Sequence, residues 1–492
     1  MLIWGYLAEE GTRVLRLRFL SRHGGSSSAA KGYQVGHESL ELEPGFGSDL
    51  ADILVAQAVA AANATYGTGS YIGDVLKPQL VRLEAILKKP SPSLSEESRA
   101  ILRESFAFGL STLGDQTGDS ATIEHGVREF RAVADHWRDK DPERWAATQD
   151  RLGNALVRLG ERTSGTARFE QAIAAFNAAL SYLTREKNPH EWGVTTNDLG
   201  NALLRIGERE RGTTRLKESI DTIKKALEAV DPDRSLDWAK VQNNYGTALA
   251  TLCARESGTE NLRMAIEAYK TAQLAQPREI VPLAWAMTQT NIATALVLTA
   301  LRENDREKLG SAVAMLEDAG KDLKRELAPL QWGATQHILG FALVNRGKME
   351  QNRNYLEQAE TAFRDALTTR TRQRVPMQWA LTLTSLAQTQ LLLANGDAGP
   401  GRILDAIDAL NQGLKVRSQT ETPLLWAETH MLLAEANLQL ATRTKLCEPV
   451  MRGKTAGEAA MTVLNSEPGD NQDRADAARR ALQQLASDLR CA

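Results

Sequence analysis

Cysteine is scarce in this chain: three among 492 residues, Cys253, Cys447 and Cys491, far apart and odd in number. Such a set suggests neither a disulfide framework nor a metal-ligand cluster, and it fits a reducing compartment. Charge of one sign is lacking as well. Lys and Arg number 59 against 62 Asp and Glu, a formal net charge of −3, so the basic excess that marks nucleic-acid binders is missing. Apolar runs are short. The longest apolar-rich stretch, 51–62, is broken by Asp52 and Gln57 and cannot span a bilayer. Residues 1–20 carry Glu9, Glu10, Arg13, Arg16 and Arg18, which excludes a secretory apolar core there. The expectation is a cytoplasmic protein with no membrane and no nucleic acid among its partners.

Catalytic signatures are absent too. The sequence holds no H-E-x-x-H, no G-x-S-x-G, no P-loop and no C-x-x-C. Gly67 to Gly73 has G-x-G-x-x-x-G spacing, but no strand pattern precedes it and no Lys-Ser/Thr pair follows, so it reads as a flexible turn. No catalytic residue, cofactor site or metal site is expected.

What the chain does have is a ruler. Trp145, Trp192, Trp238, Trp285, Trp332, Trp379 and Trp426 are separated by 47, 46, 47, 47, 47 and 47 residues. A fixed period of this size marks stacked supersecondary units. Six of the seven tryptophans have proline three residues earlier, a residue tolerated in the first helical turn, where its missing N–H has no partner to lose. Asp141, Asn188 and Thr422 precede three of these prolines and suit an N-cap. Each tryptophan therefore lies near the start of a first helix. Counting from it, position +8 is Gly153, Gly200, Gly246, Ala293, Gly340, Ala387 or Ala434. A helical glycine costs about 1 kcal/mol against alanine, so a small residue there in every unit points to a close helix–helix contact. The second helix starts near +24, at Phe169, Leu216, Leu262, Leu309, Leu356 and Ile403, and continues in the first unit through Ala172, Ile173, Phe176, Ala179 and Leu180. The tryptophans themselves read as core residues with bonded indole N–H groups, and the threonine at +3 as a packed helix residue.

The pattern extends to a degenerate first unit with Arg99 at the tryptophan position and Ile123, Val127 and Phe130 on its second helix. A last unit also drifts, its second helix expected at Thr455–Leu464, followed by a polar capping helix at Gln472–Leu489. The expected organisation is an N-terminal segment 1–95, a solenoid of about eight units at 96–469, and a cap at 470–492. Within 1–95, Gly11–Leu20 reads partly as strand, His23–Gly32 as loop, and Asp49–Thr65 and Val75–Lys89 as helices. The segment is a cap or the remnant of a larger domain.

Leu152-Gly153 followed by Leu156, and Ala172, Phe176 and Ala179, resemble the tetratricopeptide repeat (TPR) family over residues 96 to about 465. The departure is a period of 46–47 rather than about 34 residues, nearer that of HEAT and armadillo repeats. The resemblance implies an all-α fold, a right-handed superhelical α-solenoid of antiparallel helix pairs. It also implies a groove lined by first-helix residues that do not serve the core. Candidates lie at +5 and +9, with +6 adding asparagines: Asp150, Asn154, Asn197, Asn201, Asn243, Asn244, Thr247, Thr290, Asn291, Thr294, His337 and Phe341. A run of carboxamides can hydrogen-bond an extended peptide backbone, as in the ladders of some TPR proteins. The function expected is a non-enzymatic scaffold for a peptide or protein segment. The alternative is a regulatory or sensor array attached to an effector enzyme. The sequence leaves the oligomeric state open.

Overall fold

The structure, a computed structural model, describes residues 2–10, 12–22, 33–35, 40–42, 73–90, 92, 94–163, 165–210, 212–230, 235–326, 328–465 and 470–491. The helix expected at Asp49–Thr65, the loop at His23–Gly32 and most of the glycine turn before Gly73 lie outside them. The chain forms two compact units. The first comprises residues 1–295 with 322–328, the second residues 296–321 with 329–492.

The first unit begins with an antiparallel sheet. Strand β1 (Leu2–Glu10) pairs along its whole length with β2 (Thr12–Arg22), from Leu2↔Leu20 to Glu10↔Thr12. Strands β3 (Tyr33–Val35) and β4 (Leu40–Leu42) both pair with β2. Only β2 was legible as a strand, because the start of β1, Leu2-Ile3-Trp4, lacks the alternation that marks a half-buried strand.

Among the described residues of this unit the helices that follow are α1 (Gly73–Lys88), α2 (Glu96–Thr117), α3 (Ser120–Trp137), α4 (Pro142–Gly160), α5 (Ala167–Leu180), α6 (Pro189–Arg209), α7 (Thr214–Leu227), α8 (Ser235–Cys253) and α9 (Glu260–Leu274). Helix α1 already belongs to the array. Its Leu76 and Leu83 stand 23 and 16 residues before Arg99, as Phe169 and Phe176 stand before Trp192. They are buried with Leu102, Phe106 and Leu110 of α2. The helical array therefore starts with a second helix inside the segment that composition alone assigns to a separate N-terminal piece.

Helices α10 (Pro282–Glu303) and α11 (Arg306–Asp322) carry the residues at which the two compact units divide. The second unit continues with α12 (Pro329–Glu350), α13 (Arg353–Leu367), α14 (Pro376–Ala394), α15 (Gly401–Gly413), α16 (Pro423–Thr444), α17 (Cys447–Leu464) and α18 (Asp470–Leu489). Helix α17 starts at Cys447, well before the expected Thr455. Pro449 falls in its first turn, where proline removes no intrahelical bond.

One packing rule builds both units. The small residue at +8 seats the side chain at +31 of its own second helix. A Cβ on Gly153 would come within 2.5 Å of the Phe176 ring, and on Gly340 within 2.8 Å of Phe363. A second seat, not read from the sequence, lies two turns on at +15, where Gly160, Gly207 and Gly347 face Phe169, Leu216 and Leu356. The two sums agree, 8 + 31 and 15 + 24, as an antiparallel pair requires. Cys253 occupies a +15 position and is buried, so its small size accounts for its place. The resulting fold is a TPR-like solenoid of antiparallel helix pairs.

The tryptophans depart from expectation. All seven are half-buried rather than enclosed. Trp145 packs against Val133 and Trp137, and Trp145 with Trp192 flanks Ala179 and Leu183. The guanidinium of Arg278 covers the Trp285 ring at 4.3 Å. The indole N–H of Trp145 is buried with no acceptor among the described residues. Of the three expected N-caps, only Asp141 accepts a bond from its helix, at Arg144 N (3.0 Å). Thr422 turns back to the Ser418 carbonyl.

An arginine at +17 clasps successive pairs in each compact unit. Arg209 donates to the carbonyls of Gly165 and Gly160 one period earlier and lies over the Phe169 ring at 4.5 Å. Arg255 reaches Gly212 O and Glu208 O, and Arg443 reaches Gly399 O and Ala394 O. These carbonyls close the preceding first helix and its turn, where a cation also meets the negative end of the helix dipole. Arg209→Met is expected to lower stability by about 1–3 kcal/mol, measured by urea unfolding. An unchanged midpoint would show that water replaces the clasp at no cost.

The cysteine reading needs correction. Cys447 and Cys491 are joined, with their Cα atoms 5.4 Å apart across 44 residues of sequence. Helices α17 and α18 fold back on one another and bring the two ends together, which no sequence spacing reveals.

Candidate ligand-binding face

The first helices of each compact unit lie side by side, and their positions divide by neighbour. The +3 threonine is buried in α4, α6, α10, α12, α14 and α16. It does more than pack. Thr148 donates to Glu104 of the preceding unit (3.0 Å), and Asp150 accepts from Thr195 of the next. Thr288 is bonded to Asn243 (2.9 Å) and donates to Gln276 (2.7 Å). In the second compact unit Thr382 meets His337 Nδ1 (3.2 Å) and Arg370 (3.2 Å), and Arg417 bridges Thr384 and Thr429 at 2.9 and 2.7 Å. The +5 side chain of one repeat thus meets the +3 threonine of the next, often with a polar residue from the end of the intervening second helix. Val241 breaks the series, and Asn197 turns instead to Asp198 (3.0 Å) and to Asn244 (3.0 Å).

This arrangement removes the +5 residues from the open face. Asn197 has no exposed surface, and Thr290, at 8%, and His337, at 6%, are buried. Asp150 and Asn243 are half-buried but committed to their threonines. A buried polar group must be bonded, and here the partners come from the same or the neighbouring first helix: Asp198 and Asn244 for Asn197, the Ala286 carbonyl for Thr290 and Thr382 for His337.

The +9 and +6 residues remain on the accessible side. Asn154, Asn201, Thr247, Thr294 and Phe341 are half-buried, as are Asn244 and Asn291. Several already hold partners within the array. Asn154 donates to Asp150 (3.3 Å) and to Asp198 (3.0 Å), which also receives Lys240 (2.9 Å). Thr247 donates to Asn243 O and accepts from Tyr269, and Asn291 donates to Asn243 (3.4 Å). Thr290 and Thr294 each donate to the carbonyl one turn back, at 2.9 and 2.7 Å.

Sequence reasoning named Asp150 but missed the charged residues around it, Glu104, Arg151, Asp198 and Lys240. Glu104 pairs with Arg151 (2.8 Å), and burial pushes its carboxyl up to about 7, with Thr148 and Arg144 opposing. Burial, then the Asp198 carboxylate, also raises the Asp150 carboxyl well above the ordinary range. His337 is the reverse case. Burial and then Arg370 hold its ring neutral, with a pKa near 3, which makes it a hydrogen-bonding residue. Among the described residues no group of three or more His, Cys, Asp or Glu could hold a metal ion, and no helix is long and apolar enough to cross a membrane.

No protein-family model and no curated protein matches this sequence. Solved structures do. The apo form of RapI is 10% identical over 89% of this chain and 99% of its own, with a TM-score of 0.45. Yeast Tom70 is 11% identical over 89% of this chain and 82% of its own, with a TM-score of 0.42. The C-terminal part of a TPR repeat-containing protein from Cytophaga hutchinsonii is 12% identical over 68% of this chain and 98% of its own, with a TM-score of 0.35. At these levels no residue role passes from them to this chain.

Proposed function

We propose that the protein is a non-catalytic array that holds an extended peptide or protein segment against the face formed by its first helices. The observation that carries this reading is the row of half-exposed carboxamides and hydroxyls at +9 and +6: Asn154, Asn201, Asn244, Thr247, Asn291 and Thr294. Each keeps bonding capacity toward solvent, and a carboxamide matches the alternating N–H and C=O of an extended backbone. The near balance of charge favours a peptide over nucleic acid as the ligand. We place the array in the cytoplasm.

The double variant Asn201→Ala/Thr294→Ala spares every +3/+5 bond. It is expected to keep wild-type helicity and to lose most of the proteins captured by wild type from the native cell. Capture of the same set by the folded variant would defeat the proposal. A second reading, a sensor array serving an effector enzyme, draws on the sheet β1–β4, which is unlike the other described residues. Co-purification of one enzymatic activity that is lost when the sheet is disrupted would favour it.

A further inference from the structure

We propose that Cys447 and Cys491 form a redox-governed clasp that fixes the C-terminal half of the last helix, and that a dithiol reductant opens it. Helix α18 is a polar helix with a thin apolar stripe. Its buried apolar residues are Ala475, Ala478, Leu482 and Ala486, only one of them larger than alanine. Leu482 rests on Gly453 of α17, where an added Cβ would meet it at 2.8 Å. The polar ties are confined to the start of the helix, where Asn471 donates to Glu428 (3.0 Å) and Arg474 forks onto Glu435 (3.0 and 2.8 Å). Beyond Arg474, no hydrogen bond or ion pair joins α18 to another helix among the described residues.

The far end rests on the half-buried Leu485 and Leu489, and its one covalent tie is the Cys447–Cys491 bond. Arg490 follows α18 in the left-handed region (φ 54°), a conformation that is unfavourable for a non-glycine residue. The turn aims Cys491 at Cys447, the first residue of α17. Cys447 is exposed and Cys491 half-buried, so the bond is open to attack from one side. Cys253, the third cysteine, is buried and takes no part.

The chemistry balances with a dithiol as co-reactant. Its thiolate attacks the Cys447 sulfur, forming a mixed disulfide and expelling the Cys491 thiolate, which takes up a proton. The second thiol, deprotonated, then closes on the first and releases Cys447, which is protonated in turn. Two electrons and two protons pass to the protein, and the reductant leaves as a cyclic disulfide. With the clasp open, α18 keeps its N-terminal ties while the rest frays from α17 and uncovers the seat at Gly453. In an oxidised environment the end of the array is closed.

Hydrogen exchange on the full chain, with and without dithiothreitol, tests this. Amides of residues 482–490 are expected to exchange at least about tenfold faster after reduction, while α3 to α14 stay unchanged. Cys491→Ser should show the fast exchange in both conditions. Thiol titration of the denatured oxidised chain should find one free thiol, and three after reduction. Equal exchange in the two states would overturn the proposal. So would faster exchange throughout the chain, which describes a global staple, or three free thiols after treatment with oxidised dithiothreitol.

Discussion

Replacing Phe176 with alanine is expected to lower the unfolding free energy by about 3–5 kcal/mol. The ring is fully buried and fills the space left by Gly153, where even a single added carbon would come within 2.5 Å of it. Alanine leaves that space empty on both sides, and antiparallel helices pinned by a second seat at Gly160 and Phe169 cannot collapse freely to close it. Tyr269 over Gly246 and Phe363 over Gly340 repeat the arrangement. The reverse change, Gly153→Val, overpacks the same contact and should cost roughly 1–3 kcal/mol. If the two residues share one volume, the double variant is less destabilised than the sum of the singles. Urea unfolding followed by circular dichroism measures all three, and strict additivity would refute the seat.

The seat was half legible before the structure. A glycine that recurs at +8 inside a helix must answer to a partner, but that the partner is the +31 side chain, Phe176, Ile223, Tyr269 or Phe363, is visible only in the folded pair. The partition of the polar face was not legible. At about 100° per residue, +5 and +9 differ by only about 40° around a helix, so both point to the same open side on a helical wheel. What separates them is the adjacent first helix, which covers the flank bearing Asn197 and His337 and leaves the flank bearing Asn201 and Asn244. Its threonine at +3 lies on the opposite flank of the wheel, which is why the two positions meet only across a repeat boundary. The meaning of Thr148, Thr288 and Thr382 therefore sits in the stacking. A single unit read alone shows a packed threonine and a solvent-facing polar residue. The Cys447–Cys491 pair was hidden for a similar reason, because its proximity is a property of the α17–α18 hairpin.

The same +3/+5 bonds set how stability depends on pH, with opposite signs in the two compact units. His337 is buried at the Thr382 bond, and burial together with Arg370 depresses its pKa from 6.5 to about 3. In the unfolded chain the ring takes up a proton as pH falls through about 6.5, whereas in the folded chain it resists down to about 3. Between these values the unfolded state binds more protons, so stability is fully present above about 6.5 and is lost as pH falls. The full loss is on the order of 5 kcal/mol. Glu104 in the first compact unit runs the other way. Its folded pKa of about 7 lies above the ordinary value of 4.5, so its contribution is present at low pH and is lost as pH rises toward 7. The raised Asp150 carboxyl adds to the same trend. His337→Asn removes the ionisation while keeping a group that can bond Thr382. The difference between wild type and His337→Asn in urea unfolding, measured from pH 8 to pH 4, should therefore be flat above pH 7. Below that, wild type should lose stability relative to the variant with each step in pH. A difference that stays constant throughout would show that the ring titrates as freely in the fold as in the unfolded chain.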